Sequence, residues 1–362
     1  MRFGFFDQLP CASGFTERQR YKDIMAQIEL GDELGFDTAW LGELHFSRAF
    51  SILADPLMVL AAAAQRTSRI RLGTAVTLLP LHNPVKIIEE AAIADILSDG
   101  RLEFGVGRGA FPLYYVGFDV PQEESRERFE EALDFILAAW KTENFSFEGK
   151  YFRAHDLCVI PRPVQSPHPP MRVAANSPET FPFAARLGLP IFAAPLINPP
   201  ERLKAGLRAY RETLPAGAKG DTALAFSVHV TTSRAQARQD TEAGLLRFLR
   251  EAAERLRPVG QGDIKSFEAF RQVLARIEQV RYEDIESEMA VFGDPEYCIE
   301  RVHTLRREYG MDEFICYFNQ GGIMDHHGQA VDDIVCQRRD AILPLASPRG
   351  RLTKPAGVTT SA

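Results

Sequence analysis

Short apolar segments alternate with amphipathic segments along most of the chain, and this alternation predicts strands followed by helices. In residues 16–34, for example, Tyr21, Ile24 and Ile28 recur at the spacing of one helical face, and Gly35 ends the helix. The predicted strands cover residues 2–8, 36–42, 69–79, 101–107, 171–175, 191–194, 224–231 and 313–318. The predicted helices cover residues 16–34, 56–66, 84–97, 125–141, 178–187, 200–213, 235–256, 295–309 and 332–343.

A strand followed by a helix, about eight times, favours an α/β fold with a parallel sheet closed into a single (β/α)8 TIM barrel. The alternative is an open doubly wound sheet, which usually stops at about six strands. We expect one barrel domain over residues 1–346 and a disordered tail at 347–362, which has little apolar content.

Two insertions interrupt the alternation. Residues 145–170 look like a β-hairpin that ends in a proline-rich turn. Residues 257–293 precede the last predicted strand, where a long insertion is either an active-site lid or a surface decoration.

The composition is that of an ordinary globular protein, with 362 residues of which 45% are hydrophobic and 25% charged. The net charge of −7, without a basic block, argues against nucleic-acid binding, because neutralising phosphates requires clustered cations. No segment approaches the roughly 18 apolar residues of a membrane span, and the start does not resemble a signal peptide. The five widely spaced cysteines lack a Cys-x-x-Cys pair, which fits a reducing compartment, so we expect a cytoplasmic protein.

Barrel active sites lie just beyond the carboxyl ends of the strands, so the residues that follow each strand are the first candidates for chemistry. His45 follows the second predicted strand and His82 the third. Either could act in acid–base catalysis or orient a substrate, and either could be a hydrogen-bonded structural histidine. Glu43 could pair with one of them or be a satisfied carboxylate of the barrel rim.

A candidate phosphate site follows the fourth and fifth predicted strands. The glycine-rich turn 105–109 contains Gly107, which would let the backbone approach a ligand, and Arg108, which could reach a phosphate. After the fifth strand, we expect Ser177 to be the N-cap of a helix that has Thr180 in its first turn. A helix N-terminus with hydroxyl groups suits a phosphate, although ordinary capping needs no ligand.

Motifs for metal or nucleophilic chemistry are weak. Asp325, His326 and His327 offer ligand types, but no recognised ligand spacing is present, so we expect no catalytic metal. There is no G-x-S-x-G motif, and Cys11 lacks an identifiable base.

Several motifs, in order, resemble those of the bacterial luciferase-like flavin monooxygenases. They are the segments 34–46, 73–76, 79–84, 100–109, 174–177 and 188–190, and the similarity runs from residue 2 to about 345. The resemblance implies a barrel that binds reduced FMN, usually as a dimer, with a separate flavin reductase as partner. Reduced flavin and O₂ would form a C4a-peroxyflavin that oxygenates a hydrophobic organic substrate, such as an aldehyde or ketone.

The same resemblance implies a set of cofactor-binding residues. Arg108, Ser177 and Thr180 would hold the FMN phosphate, and the insertion 257–293 would be a mobile lid that excludes water. Ala75 and its neighbour Val76 correspond to a pair joined by a cis peptide under the flavin ring. The full expected set is Glu43, Ala75, Gly107, Arg108, Phe111, Asn176, Ser177 and Thr180.

The loop after the second strand departs from luciferase itself, which has two adjacent histidines there, the first of them catalytic. Here the first position is Leu44, and His45 remains, so His45 and His82 are the candidate catalytic residues. Two other functions stay open: a hydride-transferring oxidoreductase that uses the deazaflavin F420, and a non-catalytic partner subunit. An apolar pocket wall favours a hydrophobic substrate; the residues expected on it are Leu44, Phe46, Phe111 and Phe192.

Overall fold

The structure is a computed structural model that describes residues 1–196, 198–257, 268–318 and 320. Three predictions lie outside these residues: the Asp325–His327 cluster, the helix at 332–343 and the tail at 347–362.

Strands and helices alternate through the described residues. The strands are β1 (Arg2–Asp7), β2 (Thr38–Leu41), β3 (Arg71–Thr74), β4 (Thr77–Leu78), β5 (Leu102–Gly107), β6 (Asn144–Glu148), β7 (Arg153–Cys158), β8 (Met171–Ala174), β9 (Ile191–Ala193), β10 (Thr222–Val230), β11 (Ala290–Gly293) and β12 (Glu313–Tyr317). The helices are α1 (Glu17–Leu34), α2 (Pro56–Ala64), α3 (Pro84–Leu97), α4 (Pro112–Gly117), α5 (Ser125–Lys141), α6 (Thr180–Arg186), α7 (Pro200–Thr213), α8 (Arg234–Leu256), α9 (Glu268–Gln279), α10 (Tyr282–Glu288) and α11 (Pro295–Tyr309).

The parallel strands close into a barrel. Pairing runs in the order β12, β1, β2, β3, β5, β8, β9 and β10, and β10 pairs again with β12. The prediction of a (β/α)8 barrel is therefore confirmed, and the open doubly wound alternative is wrong because these eight strands close on themselves. Among the helices of the described residues, none is both long and apolar enough to cross a bilayer.

The third predicted strand, at 69–79, is divided into β3 and β4. The break falls at Ala75 and Val76, whose peptide bond is cis, as the resemblance implies. Strand β4 then pairs with β5, so this segment stays part of the barrel wall.

The barrel interior is packed around Trp40, which is fully buried. Its ring contacts Phe192 edge-on, with 4.8 Å between the ring centroids. A Cβ atom at Gly73 would lie only 2.2 Å from the Trp40 ring, so glycine is required at that position. The indole nitrogen donates to Oε1 of the buried Glu313 at the amino end of β12 (2.7 Å). The amino ends of the strands are thus filled, which leaves the carboxyl ends for a site.

Both predicted insertions contain regular structure. Strands β6 and β7 pair antiparallel, which confirms the hairpin predicted at 145–170. The described part of the insertion 257–293 contains α9, α10 and β11, and β11 pairs with the carboxyl half of β10. The alternation did not predict these three elements or the six-residue helix α4.

Helix α8 begins after Ser233, whose hydroxyl accepts a hydrogen bond from the backbone N–H of Gln236 (3.1 Å). Replacing Ser233 with alanine removes this cap, and we expect the free energy of unfolding to fall by about 1 kcal/mol. Ser233→Asp keeps an acceptor and should retain most of that stability. Urea denaturation of the three proteins checks the prediction, and equal stability of the alanine and aspartate variants would contradict it.

Candidate functional site

Two adjoining cavities open at the carboxyl end of the barrel, and we call them the main cavity and the small cavity. The main cavity has a volume of about 310 Å³ and mostly apolar walls. The small cavity has a volume of about 120 Å³ and lies beside the ends of β5 and β8. The residues that line both are Val76, Leu78, Gly109, Ala110, Ala174 and Asn176. The two cavities therefore share one wall and can hold different parts of a single ligand.

The small cavity gathers two guanidinium groups, two hydroxyl groups and one carboxylate, that of Glu130, which pairs with Arg126 (3.0 Å). Arg108, Arg126, Ser177 and Thr180 all line it, and the hydroxyl oxygens of Ser177 and Thr180 are 2.9 Å apart. Burial lowers the pKa of Arg108, but a guanidinium group stays protonated at neutral pH. Two guanidinium groups and two hydroxyl groups around this volume form a donor set that suits a phosphate dianion.

The loop between β8 and α6 corrects one detail of the prediction. Helix α6 begins at Thr180 after Glu179, not at residue 178, so Ser177 is not its N-cap. The backbone N–H of Thr180 instead donates to the Ser177 carbonyl (3.0 Å) and closes a turn over the residues between them. This turn brings the two hydroxyl groups together on the wall of the small cavity.

Gly107 is required by protein packing. A Cβ atom there would lie 2.4 Å from Cγ2 of Val76, so a larger residue would push away the wall shared by the cavities. Gly107 itself lines the small cavity, and β5 pairs it with Leu78. The close approach that this glycine permits is thus made by Val76, which directly precedes β4 of the same barrel.

A buried carboxylate lies beside the main cavity. Oε1 of Glu43 accepts from Nε2 of His45 (2.9 Å) and from Nε2 of His82 (2.7 Å). Its Oε2 accepts from the backbone N–H of Leu78 (2.8 Å). Glu43 lines the main cavity, but neither His45 nor His82 is among the residues that line the two cavities described here. The structure therefore brings all three predicted residues together, with both imidazoles bound to the carboxylate.

The hydrogen bonds of this cluster set its charge. Burial raises the pKa of Glu43, but the bonds from the two imidazoles and from Leu78 outweigh it and hold the pKa below its usual value. Burial lowers the pKa of His82, but the bond to Glu43 and the negative charge there outweigh it and raise the pKa. The geometry thus favours an ionised glutamate and a protonated His82.

The wall of the main cavity combines expected and unexpected residues. Leu44, Phe111 and Phe192 line it as predicted, and so does Ala75. Phe46 does not, because its backbone is left-handed (φ 58°) and its side chain is 53% exposed. Sequence reasoning missed the residues that helix α8 and the insertion 257–293 contribute, which are Leu245, Phe248, Leu249, Ala252, Leu256, Ile277, Ile285 and Met289.

Two of these missed residues belong to the insertion 257–293. Ile277 of α9 and Ile285 of α10 line the main cavity, so the described part of the insertion contributes to the cavity wall. Helix α8 was predicted at 235–256, and its contribution to the cavity could have been recognised from its apolar stripe, in which Leu245, Leu249 and Ala252 follow one another at helical spacing. Arg126 was missed because it lies in the first turn of α5, which the sequence presents as a charged, solvent-facing surface.

The described residues contain no group of three or more histidine, cysteine, aspartate or glutamate side chains that could hold a metal ion. The Asp325–His327 cluster lies beyond those residues.

Comparison with known proteins gives a consistent result. The sequence profile of the family described as "Luciferase-like monooxygenase" matches residues 1–313. The chain is 32% identical over 200 residues to the oxygenase component of the flavin-dependent trigonelline monooxygenase of Acinetobacter baylyi, covering 54% of this chain and 55% of that one. The chain spans about half the length of the first curated relatives it matches, from 50% to 55%.

Solved structures resemble the fold over nearly the whole chain. The monooxygenase RslO1 from Streptomyces bottropensis superposes with a TM-score of 0.79 and 27% identity, covering 96% of this chain and 100% of that one. The oxygenating constituent of 3,6-diketocamphane monooxygenase from Pseudomonas putida, a type II Baeyer-Villiger monooxygenase solved with FMN, has a TM-score of 0.77 and 20% identity. It covers 98% of this chain and 99% of its own, and at this identity it supports the fold alone.

Proposed function

Because the chain belongs to the luciferase-like monooxygenase family, we propose that it is an FMN-dependent monooxygenase that uses reduced flavin and O₂ to oxygenate a hydrophobic organic molecule. One observation carries the proposal: a small cationic cavity adjoins a larger apolar cavity at the catalytic end of the barrel. A flavin mononucleotide has the matching division into a charged phosphate end and a flat, largely apolar ring.

The residues present fit this cofactor. Arg108 and Arg126 would neutralise the phosphate, and the hydroxyl groups of Ser177 and Thr180 would donate to its oxygens. Asn176 lines both cavities and would lie between the phosphate and the ring. When bound in its reduced form, the flavin supplies the electrons with which O₂ is activated.

The protein's own contribution is to exclude water and to hold in place the cavity wall that would face the flavin ring. The aromatic residues Phe50, Phe111 and Phe248 pack against one another on the main cavity, with Phe50 and Phe248 stacked at 5.1 Å. Such a wall would keep water away from a bound flavin ring. Glu43 ties the segment at Leu78 to the loop after β2, and we propose that His45 and His82 act as positioning residues through this carboxylate.

We also propose a separate flavin reductase as the partner that supplies reduced FMN. The relative in Acinetobacter baylyi is named as the oxygenase component of its enzyme, which supports a two-component arrangement. A homodimer is the oligomeric state that we propose, and light scattering on the purified protein would measure it.

Oxygen transfer tests the proposed function. The purified chain is supplied with FMN, NADH, a flavin reductase and a panel of aldehydes, ketones and terpenes under ¹⁸O₂. We expect one ¹⁸O atom in a product, and no product without FMN. Spectral binding of F420 in preference to FMN, with hydride transfer that needs no O₂, would instead support the deazaflavin alternative. Turnover in this assay, which contains no second oxygenase subunit, would rule out the alternative that the chain is a non-catalytic partner subunit.

The two hydroxyl groups of the small cavity should each contribute modestly to FMN binding. Ser177→Ala or Thr180→Ala removes one donor to the phosphate, and we expect the Kd for FMN to rise about tenfold. Quenching of flavin fluorescence measures both values. Ser146→Ala, on the hairpin strand β6, is the matched control and should leave the Kd unchanged. An unchanged Kd in both site variants would remove these hydroxyl groups from the phosphate site.

A further inference from the structure

Three of the polar residues that line the main cavity lie together on one wall. The register of the barrel pairs Tyr317, the last residue of β12, with Phe6 on β1 and with Ser227 on β10. Gln8 follows two residues after Phe6 and therefore lies on the same side of the chain. Gln8, Ser227 and Tyr317 all line the main cavity. We call these three neighbouring residues the polar strip.

Two members of the polar strip already have hydrogen bonds within the protein. The amide nitrogen of Gln8 donates to the carbonyl of Phe50 (2.9 Å). The hydroxyl of Ser227 donates to Oε1 of Gln320. The hydroxyl of Tyr317 is buried and has no hydrogen-bond partner in the described part of the chain. The hydroxyl of Tyr114, the other phenol on this cavity, also has no partner within hydrogen-bonding geometry in the described part of the chain, but it lies close to the backbone of His45.

A buried hydroxyl without a partner is unfavourable, because it loses its hydrogen bonds to water and gains none in return. Native proteins contain few such groups, and each one calls for a ligand or another specific explanation. Burial together with the negative charge of Asp7 raises the pKa of Tyr317 well above its usual value. The hydroxyl therefore stays protonated and available as a donor across the whole range in which the protein would work.

The polar strip lies on the far side of the barrel from the proposed phosphate site. The small cavity is at β5 and β8, and β12 is four strands away from β5 in either direction around the ring. A cofactor whose phosphate is held in the small cavity would have the adjoining main cavity available for its ring. The polar strip would then face a second molecule, the substrate, bound in the main cavity beside the ring.

From this arrangement we propose that the polar strip binds an oxygen-bearing group of the substrate, with Tyr317 donating a hydrogen bond to a carbonyl or hydroxyl oxygen. The inference rests on the proposed function and adds a substrate class to it. That class is an apolar molecule with one carbonyl or hydroxyl group, held by its hydrocarbon part against Phe50, Phe111 and Phe248. A pure hydrocarbon would leave the Tyr317 hydroxyl without a partner.

The first test is the stability of the protein without ligand. Tyr317→Phe removes only a hydroxyl that has no partner, so we expect Tm to stay the same or to rise by about 2 °C. Tyr210→Phe is the matched control, because that buried hydroxyl donates to the carbonyl of Leu189 (3.0 Å), and its loss should lower Tm. An equal loss of Tm in both variants would show that Tyr317 has a protein partner, which overturns the inference.

The second test is the binding of paired probes to the FMN complex. Acetophenone and ethylbenzene form one pair of equal shape, and 2-acetylnaphthalene and 2-ethylnaphthalene form a larger pair. We expect Tyr317→Phe to weaken binding of the ketones about tenfold, measured by saturation-transfer NMR, and to leave the hydrocarbons unchanged. Equal effects on ketone and hydrocarbon, or no binding of either ketone to the wild type, would overturn the inference.

The FMN titration separates this inference from the proposed function. If the chain does not bind FMN, the proposed function fails, whatever the probes do. If wild type and Tyr317→Phe bind FMN equally but do not distinguish ketone from hydrocarbon, the polar strip is not a substrate site and the proposed function stands.

Discussion

Replacing Arg108 with alanine should raise the Kd for FMN by about a hundredfold or more, which corresponds to about 3 kcal/mol. The guanidinium is mostly buried on the wall of the small cavity, where water screens its charge poorly. A charge-assisted bond from this side chain to a phosphate dianion is therefore strong, and alanine replaces it with an empty space. Titration of the apoprotein with FMN, followed by flavin fluorescence, measures the change.

Riboflavin distinguishes a phosphate contact from general damage to the site, because it has the same ring and no phosphate. We expect wild type to bind FMN much more tightly than riboflavin, and Arg108→Ala to lose most of that preference while its riboflavin affinity changes little. Arg153→Ala is the matched control, since that arginine is exposed on the hairpin. If Arg108→Ala weakened FMN and riboflavin equally, Arg108 would support the fold of the loop and not the phosphate.

The barrel could be predicted from the sequence because its signals are local. Each strand is a short apolar segment with buried faces on both sides, as in β2, where all four residues are buried. The helices that could be predicted have apolar stripes, and some have a stop signal, such as Gly35 in the left-handed conformation at the end of α1 (φ 82°). Strand β11 also consists of four buried residues, but it was not predicted because its segment lies within the insertion 257–293, where the alternation of strands and helices is interrupted.

The candidate site was predictable to the extent that its residues follow single strands. Arg108, Ser177 and Thr180 each lie just beyond a strand, and barrel geometry alone brings such residues to one end. The far wall of the main cavity depends on which face of α8 packs over the barrel, and that is decided by tertiary contacts. The hydrogen-bond partners of a side chain also depend on tertiary contacts. The sequence left open whether Glu43 pairs with one histidine or with none, and in the structure it binds both His45 and His82.

Phe46 and Tyr317 are two further residues whose positions relative to the cavity could not be predicted from the sequence. Phe46 was expected on the pocket wall because it follows β2 and is apolar, but its left-handed backbone directs the side chain outward. From the sequence, Tyr317 is indistinguishable from any other buried strand residue. Only the pairing of β12 with β1 and β10 places it on the polar strip.

Replacing Glu43 with glutamine should destabilise the protein by about 2–4 kcal/mol at pH 5.5. The carboxylate accepts three hydrogen bonds, from His45, His82 and the backbone of Leu78. An amide of the same shape has only one acceptor atom, so at least one of these donors would face the NH₂ group of glutamine. Thermal denaturation of the variant and the wild type measures the difference.

The size of this difference should depend on pH. The pKa of His82 is raised in the folded state, so its contribution is complete below roughly pH 6.5 and is lost as pH rises through the raised value. The pKa of Glu43 is lowered, so its contribution is present above roughly pH 4.3 and is lost as pH falls through the lowered value. Both shifts describe one interaction, which is therefore strongest between about pH 4.5 and 6.5.

The difference in Tm between wild type and Glu43→Gln should accordingly be larger at pH 5.5 than at pH 8.5. His45 also faces the carboxylate, and the charges of Asp55 and Glu90 act on His82 with the same sign as that of Glu43, so part of the His82 shift should survive in the variant. His82→Asn is the control, because an asparagine can donate to Glu43 without titrating. In that background the Glu43→Gln difference should change less between the two pH values than it does in the wild-type background. A difference that stays constant with pH in the wild-type background, or grows toward pH 8.5, would mean that Glu43 holds a neutral His82.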